Sequence, residues 1–284
     1  MSIERVGIVG GGLMGSGIAE VSAKAGMHVL VHEISAEVAE RALGRIEKSL
    51  GRAVERGKLD EGGREEILGR VNMTTDLEEM TDRQLVVEAA TENEELKKEI
   101  FGRLDSIVSD PDAILASNTS SIPITRLAAS TSRADHVVGM HFFSPVPVMA
   151  LMELVTTVMS DPGVEDRAQT FAEQIGKTVI RAKDRAGFVV NMLLVPYWLS
   201  AIRMYEAGVA SKEDIDTGMK LGANHPMGPL ELADFVGLDV AKFVAEVLFE
   251  EYKEPLYSSP PLLTRMVEAG LLGRKTGKGF YTYQ

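Results

Sequence analysis

Short apolar runs alternate with longer amphipathic segments over the first two-thirds of the chain. The runs RVGIV, HVLVHE, LVVEAA, AILASN and HVVGMHF are rich in β-branched residues. Such runs predict buried strands of a mostly parallel sheet, and the amphipathic segments between them predict crossover helices. KTVIRA, at residues 177–182, predicts a last strand.

The pattern changes near residue 184. Residues 186–270 form successive helical segments that Gly- and Pro-containing breaks separate, such as NHPMGPLEL and KEPLYSSPP. We therefore expect an α/β domain over residues 1–184 and an all-α domain over residues 185–284. The α/β domain should carry a helical insertion at about residues 35–70.

The insertion begins with a long amphipathic helix, predicted over residues 35–58. Its apolar residues recur every fourth position, at Val38, Ala42, Ile46, Leu50 and Val54. Its basic residues lie within a sector of roughly 80° on another face. They are Arg41, Arg45, Lys48, Arg52 and Arg56.

Composition narrows the class of protein. The 284 residues are enough for two domains. The absence of cysteine excludes disulfides, thiolate catalysis and cysteine-ligated zinc. A net charge of −12 argues against nucleic acid as a partner. No signal peptide is visible and FVVNMLLVPYWLSAI is too short to span a bilayer, so we expect a cytoplasmic protein with no membrane partner.

The segment VGIVGGGLMGSGIAEVSAKAG combines a strand, a glycine turn and a helix. Gly10, Gly12 and Gly15 fit the pattern G-x-G-x-x-G, and Leu13 and Met14 lie between the last two glycines. In this context the first glycine makes the turn, the second admits a pyrophosphate and the third lets helix and strand pack closely. The motif predicts a Rossmann-type dinucleotide site, against the alternative of a turn that serves packing alone.

The second strand ends in Glu33, at the spacing expected for the residue that binds the adenosine ribose. A carboxylate there accepts hydrogen bonds from ribose hydroxyls and repels a 2′-phosphate. No arginine or lysine adjoins Glu33 in the sequence, which favours NAD over NADP as the cofactor.

Seven ordered segments together resemble the 3-hydroxyacyl-CoA dehydrogenase family, close to its short bacterial 3-hydroxybutyryl-CoA members. They are VGIVGGGLMGSGIA, VVEAATEN, ASNTSSIPIT, GMHFFSPVPVMALMELV, GFVVNMLLVPY, HPMGPLELADFVGLD and GRKTGKGFYTY. The resemblance implies an NAD-binding N-terminal domain and a helical C-terminal domain that forms a homodimer. It also implies reversible oxidation of (S)-3-hydroxyacyl-CoA to 3-oxoacyl-CoA, with an acyl-CoA as substrate. No metal-ligand spacing appears in the sequence and hydride transfer to NAD needs no metal, so we expect none.

His141 is the candidate general base, since a neutral imidazole can take a hydroxyl proton near neutral pH. It follows a predicted strand and should lie at the carboxyl edge of the sheet, where ligands bind in open α/β folds. Glu153, in the same GMHFFSPVPVMALMELV segment, is the candidate partner of the imidazole if Pro145 and Pro147 turn the chain back. The family's catalytic pair falls on these two residues. The alternatives are a core histidine, or His225 as the base.

The strand AILASN should bring Asn118 and Ser120 to the same edge. The family's substrate-contacting serine falls on Ser120, and we expect Asn118 near the nicotinamide. Capping of a turn is the alternative for both.

Asn191 lies early in the helix that opens the second domain. The family's cleft asparagine falls on it, with the thioester or reacting carbonyl as the expected partner; a polar contact at the helix start is the alternative. Many relatives have proline and arginine where this chain has Ala186 and Met192, which puts an adjacent ionic contact in doubt.

Two further groups of residues are candidate ligand contacts: the resemblance implies the first, and the charge pattern of the 35–58 helix indicates the second. Glu92 and Lys97 are expected to border the nicotinamide ribose, with a solvated Glu/Lys-rich helix as the alternative. Arg52 and Arg56, on the basic face of the 35–58 helix, are candidates for binding coenzyme A phosphates. A solvated basic face with pairs such as Glu37–Arg41 is the alternative there.

The sequence therefore predicts an NAD-dependent (S)-3-hydroxyacyl-CoA dehydrogenase for short chains. In this prediction His141 is the base, Glu153 orients it, and Ser120 and Asn191 position the substrate. Two other functions stay open at this stage: a dehydrogenase of a free hydroxy or sugar acid, and a non-catalytic nucleotide-binding protein.

Overall fold

The computed structural model describes residues 3–283. The chain divides into two compact units between Arg185 and Ala186. Each unit has its own hydrophobic core. Within the described residues, no helix has both the length and the apolar character needed to cross a bilayer.

The first unit is built on one eight-stranded sheet. Its strands are β1 Arg5–Val9, β2 His28–His32, β3 Val71–Thr74, β4 Leu85–Glu88, β5 Ile114–Ser117, β6 Val137–Phe142, β7 Leu151–Thr156 and β8 Thr178–Lys183. Their order across the sheet is β3-β2-β1-β4-β5-β6-β7-β8. β1 to β6 are parallel, β7 is antiparallel to β6, and β8 is parallel to β7. The predicted mostly parallel, Rossmann-type sheet is confirmed.

This strand order creates a crevice beside β1. The chain leaves β1 towards β2 on one side and returns through β4 on the other, so the connections after β1 and β4 diverge at the same edge. Ligands of open α/β sheets bind at such a point, outside the carboxyl ends of the strands. The glycine turn follows β1 there, and the residues after β4, β5 and β6 share that edge.

Two strands fall outside the apolar runs that the sequence pattern marks as strands. β3, with the sequence VNMT, is only four residues long and has an exposed asparagine, so it lacks the continuous apolar character of a buried strand. β7 is almost entirely buried, but Glu153 interrupts its apolar pattern. Both segments form strands because they pair with neighbouring strands of the sheet, and not because of their local sequence pattern.

Helices flank the sheet of the first unit. They are α1 Leu13–Lys24, α2 Ala36–Glu55, α3 Glu61–Leu68, α4 Glu94–Ile107, α5 Ile124–Ala128 and α6 Pro162–Gln174. The predicted amphipathic helix is α2: it buries Ala42, Ile46 and Leu50, and the Ser35 hydroxyl caps its first turn. It ends before the predicted residue 58, because Gly57 adopts a left-handed conformation with φ +66°.

The second unit is helical, as predicted. Its helices within the described residues are α7 Val190–Glu206, α8 Lys212–Gly222, α9 Pro229–Val236, α10 Leu238–Tyr252 and α11 Pro261–Glu268. Trp198, Leu199, Leu230 and Leu248 are among the buried residues of its core. Burial of these apolar faces stabilises the unit, since each fully buried large side chain contributes roughly 1.5–3 kcal/mol.

Candidate active site

The glycine turn after β1 is shaped by close backbone approaches. Gly10 has φ +95°, a conformation that side chains disfavour. A Cβ on Gly15 would lie 1.8 Å from the carbonyl oxygen of Gly10, so only glycine fits where α1 meets the turn. A Cβ on Gly12 would meet no atom within 4 Å. Gly12 therefore faces open space, which a pyrophosphate can enter.

The amino end of α1 faces the same space. The first main-chain bond of this helix runs from the Ser16 N–H to the Gly12 carbonyl, at 2.9 Å. The N–H groups of Leu13, Met14 and Gly15 belong to the first turn, where helices have no internal acceptors for them. Leu13 is exposed and Met14 is partly buried. An anionic phosphate fits these donors and the positive end of the helix dipole.

Glu33 lies just beyond β2 and is buried against the turn. Its Oε1 accepts the Gly11 N–H at 2.6 Å and its Oε2 accepts the Ile34 N–H at 3.3 Å. An ionised carboxylate has about four acceptor positions, so both oxygens can accept further hydrogen bonds from a ribose diol. Turn, helix end and carboxylate together fit the phosphates and adenosine ribose of a dinucleotide.

His141 and Glu153 face each other across β6 and β7, where they are directly paired in register. Their Nδ1 and Oε2 atoms are 2.6 Å apart, and both residues are buried, with exposed fractions of 7% and 0%. The turn at residues 145–149 reverses the chain: the Val148 and Met149 N–H groups both donate to the Pro145 carbonyl. The turn thus brings two residues that are twelve positions apart in the sequence within hydrogen-bond distance.

This pairing fixes the chemistry of the imidazole. A carboxylate at Oε2 accepts a hydrogen bond from Nδ1–H, which selects the tautomer whose Nε2 bears the lone pair. The same carboxylate stabilises the positive charge that forms when Nε2 takes a proton. The Phe143 ring lies beside the imidazole, at 4.7 Å between ring centroids. An imidazole with this pairing can act as a general base and, once protonated, as a general acid.

The turn after β5 carries Asn118 and Ser120. The Asn118 Oδ1 accepts the Phe142 N–H at 3.0 Å, which ties the end of β5 to the end of β6. One carboxylate oxygen of Glu92 gathers three donors of the turn: the Thr119 hydroxyl, the Ser121 hydroxyl at 2.6 Å and the Ser120 N–H at 3.3 Å. These three hydrogen bonds to Glu92 fix the position of the backbone that carries Ser120.

A buried ion-pair network lies beneath this turn. Lys97 is only 1% exposed, and its Nζ lies 2.6 Å from Glu88 Oε1, 3.3 Å from the Ala90 carbonyl and 3.4 Å from Glu92 Oε2. The other oxygen of Glu88 accepts the Ser117 hydroxyl at 2.6 Å. Lys97 therefore does not belong to a solvated helix face. Its direct contact with the cofactor, and that of Glu92, stay predictions.

The network also sets the protonation of Glu92, whose side chain is 28% exposed. Burial alone would raise the pKa of Glu92, but the Lys97 charge and the Ser121 and Thr119 hydroxyls outweigh it and hold that pKa below its usual range. Sequence reasoning missed Glu88, at the end of the LVVE strand, although a carboxylate closing a fully buried strand indicates a buried cation nearby.

The basic residues of α2 have different partners. Arg41 pairs with Glu37 at 3.5 Å, so this part of the basic face follows the solvated alternative. Arg45 donates from Nη1 to the Gly11 carbonyl at 3.2 Å. Arg52 and Arg56, in the last turn and at the C-cap, are exposed.

In the second unit, Asn191 is the second residue of α7 and is partly buried. The rival base His225 is paired through Nδ1 with the Tyr197 hydroxyl at 3.0 Å. That contact gives His225 a structural partner inside the helical unit.

The fold and these sites define a nicotinamide-dinucleotide-dependent oxidoreductase. Residues 5–185 match the family model described as 3-hydroxyacyl-CoA dehydrogenase, NAD binding domain, and residues 187–283 match the model of the C-terminal domain of the same family. The chain belongs to the 3-hydroxyacyl-CoA dehydrogenase family. The resemblance seen in the sequence and the choice of NAD as cofactor are confirmed.

Full-length relatives agree with this assignment. A 3-hydroxybutyryl-CoA dehydrogenase of Mycobacterium tuberculosis is 57% identical over 283 residues, which cover 99% of each chain. The crystal structure of M. tuberculosis FadB2 matches with a TM-score of 0.98 at 56% identity, over 100% of each chain. That of (S)-3-hydroxybutyryl-CoA dehydrogenase PaaH1 from Ralstonia eutropha matches with a TM-score of 0.95 at 46% identity, also over 100% of each chain.

Proposed function

We propose that the protein catalyses the NAD-dependent, reversible oxidation of (S)-3-hydroxyacyl-CoA, with the four-carbon 3-hydroxybutyryl-CoA and acetoacetyl-CoA as its main substrate pair. The observation that carries this proposal is the buried His141–Glu153 pair, 2.6 Å apart at the carboxyl edge of a dinucleotide-binding sheet. The names of its full-length relatives support the choice of acyl-CoA.

In the oxidation, His141 takes the proton of the substrate hydroxyl at Nε2 as the C–H bond breaks. Glu153 stabilises the imidazolium that results, so the proton transfer does not leave an isolated charge in a buried site. NAD, when bound, supplies the hydride acceptor. In the reduction, the imidazolium returns its proton to the forming alkoxide.

Two polar residues are the proposed ligands of the substrate. Ser120 donates a hydrogen bond to the reacting oxygen, which is supported by the three donors that anchor its turn to Glu92. Asn191 binds the reacting carbonyl or the thioester, and Asn118 borders the nicotinamide. Arg52 and Arg56 attract the coenzyme A phosphates, because they are exposed cations on a chain of strongly negative charge.

The test is reduction of acetoacetyl-CoA, measured as the loss of NADH absorbance. We expect turnover with the thioester and at least 100-fold lower kcat/KM with free acetoacetate, because the free acid lacks every contact to coenzyme A. His141→Gln should bind NADH normally and reduce the thioester more slowly by roughly two to four orders of magnitude. Equal rates with the thioester and the free acid would favour a hydroxy-acid dehydrogenase.

We also propose that the helical unit forms a homodimer. Phe235 and Val236 on α9 and Val240 and Phe243 on α10 are large apolar residues exposed in the single chain. A second copy of this chain that covers them would remove apolar surface from water. Light scattering should give twice the chain mass, and Phe243→Asp should lower it to that of one chain. A monomeric wild-type protein would contradict this proposal.

A further inference from the structure

The backbone of Gly11 lies between two opposite charges. Its N–H donates to Glu33 Oε1 at 2.6 Å, and its carbonyl accepts a hydrogen bond from Arg45 Nη1 at 3.2 Å. The carboxylate and the guanidinium are therefore within about 10 Å of each other across one residue of the glycine turn. Arg45 is twelve positions after Glu33, so the sequence alone does not show them as neighbours.

The position of Arg45 is set by close packing of α2 on the turn. A Cβ on Gly11 would lie 2.5 Å from the Cβ of Ala42, so the helix touches the turn where it has no side chain. The Ser16 hydroxyl lies 2.7 Å from the Gly11 carbonyl and 3.3 Å from the Ala42 carbonyl. Arg45 follows Ala42 by one helical turn and projects from this fixed contact.

Most N–H donors of the Arg45 guanidinium are available to a ligand. Arg45 is exposed, and within residues 3–283 its hydrogen bond to Gly11 uses one of the five N–H groups of an arginine. Dinucleotide sites read the adenosine ribose through the residue at the end of the second strand: a carboxylate binds the 2′-hydroxyl, and an arginine nearby accommodates a 2′-phosphate. This turn holds both kinds of residue.

We propose that Arg45 is a second determinant of cofactor choice, a phosphate-binding residue whose preference for NADP the carboxylate of Glu33 suppresses. Arginine binds phosphate through paired, charge-assisted hydrogen bonds. The negative charge of Glu33 repels the 2′-phosphate and makes NAD the cofactor. Selectivity for NAD therefore requires the charge of Glu33 to outweigh that of Arg45, because the cation that would bind NADP is already in place.

The test measures binding of NADH and NADPH by nicotinamide fluorescence, without any acyl-CoA. Glu33→Gln removes the charge but keeps an amide oxygen to accept the Gly11 N–H. We expect this variant to lower the ratio of NADH affinity to NADPH affinity by at least 30-fold. Adding Arg45→Ala to Glu33→Gln should weaken NADPH binding by roughly 10- to 100-fold, the range for hydrogen bonds to a charged group, and NADH binding by less than threefold.

Lys48→Ala in the Glu33→Gln background is the matched control, since it removes one positive charge from the same helix. We expect it to change NADPH binding by less than twofold. Equal loss of NADPH affinity in the Lys48 and Arg45 variants would mean that NADPH responds only to the overall positive charge of α2. That result would overturn the proposal. So would a double variant that binds NADPH as tightly as Glu33→Gln alone.

A single variant gives an independent measurement if Glu33→Gln does not fold. Arg45→Ala alone should weaken the residual NADPH binding at least tenfold more than NADH binding. An Arg45 that served the 3′-phosphate of coenzyme A instead would raise KM for acetoacetyl-CoA and leave the NADH to NADPH ratio unchanged. That result would overturn the assignment without affecting the proposed reaction.

Discussion

The pairing of His141 with Glu153 leads to a quantitative prediction for Glu153→Gln. Glutamine keeps the size of the side chain and an acceptor oxygen, but it removes the charge next to the imidazole. A hydrogen bond to a charged group contributes about 1.5–3 kcal/mol, and at an effective dielectric of about 20 two charges near 4 Å interact by about 4 kcal/mol. With 2.6 Å between Nδ1 and Oε2 and full burial of the carboxylate, we take roughly 2–4 kcal/mol as the loss.

Because about 1.4 kcal/mol corresponds to tenfold in rate, kcat should fall by roughly 30- to 1,000-fold. A second effect of the glutamine also lowers kcat. The glutamine NH₂ can donate to Nδ1, which places the ring proton on Nε2 and removes the base, as happens when the triad aspartate of serine proteases becomes asparagine. The lower end of the range is therefore the least we expect.

The assay is steady-state reduction of acetoacetyl-CoA with NADH, together with NADH binding by fluorescence. NADH affinity should stay within threefold of wild type, because Glu153 is not among the proposed cofactor contacts. Glu20→Gln is a matched control: it also removes a buried glutamate from the first unit, and kcat should stay within threefold. The variant His141→Gln/Glu153→Gln should be no slower than His141→Gln alone, since the carboxylate acts through the imidazole. A Glu153→Gln enzyme with kcat within threefold of wild type would refute the reasoning.

Three further predictions concern the sheet edge and the stability of the first unit. Ser120→Ala should lower kcat/KM for acetoacetyl-CoA by roughly 10- to 100-fold without weakening NADH binding, and unchanged kinetics would exclude the serine from the substrate site. Lys97→Met should lower the urea-derived free energy of unfolding by about 3–5 kcal/mol, because it leaves the Glu88 carboxylate buried without its cation. Burial acts to raise the pKa of Asp105, but hydrogen bonds from Ser132 and the Arg133 charge lower it overall, so its contribution to stability is present above its unfolded-state pKa and is lost as pH falls through the lower folded value. Asp105→Asn should accordingly flatten the loss of stability in urea unfolding between about pH 5 and 3.

Most of the fold follows from local pattern. β1, β4 and β5 are apolar and buried on both faces except for one terminal residue each, namely Arg5, Glu88 and Ser117, of which only Arg5 is exposed. The period-four pattern of α2 indicates the one face that this helix buries. β3 could not be found in this way. Its short polar sequence becomes a strand because β2 offers a free edge for pairing.

The site was predictable to the extent that its residues terminate strands. The carboxyl ends of parallel strands share one edge of the sheet, which is enough to predict that His141, Asn118 and Ser120 lie close together. Contacts across helices are a different matter. The approach of Arg45 to the glycine turn and the burial of Lys97 depend on how α2 and α4 pack, and neither the charge pattern nor the spacing of those helices contains that information.

The buried network links the ends of two neighbouring strands at the edge of the sheet. Lys97 joins Glu88, at the end of β4, to Glu92, which gathers the turn after β5. A buried ion pair contributes little net stability, but the loss of one partner is costly, which favours the arrangement in which all three charges are paired. The turn that carries Ser120 is held by that arrangement, and the ring of His141 is held by Glu153. Two separate carboxylates, Glu92 and the fully buried Glu153, thus hold the groups proposed to act on one substrate oxygen. Such positioning lets a base and a donor act without rearrangement.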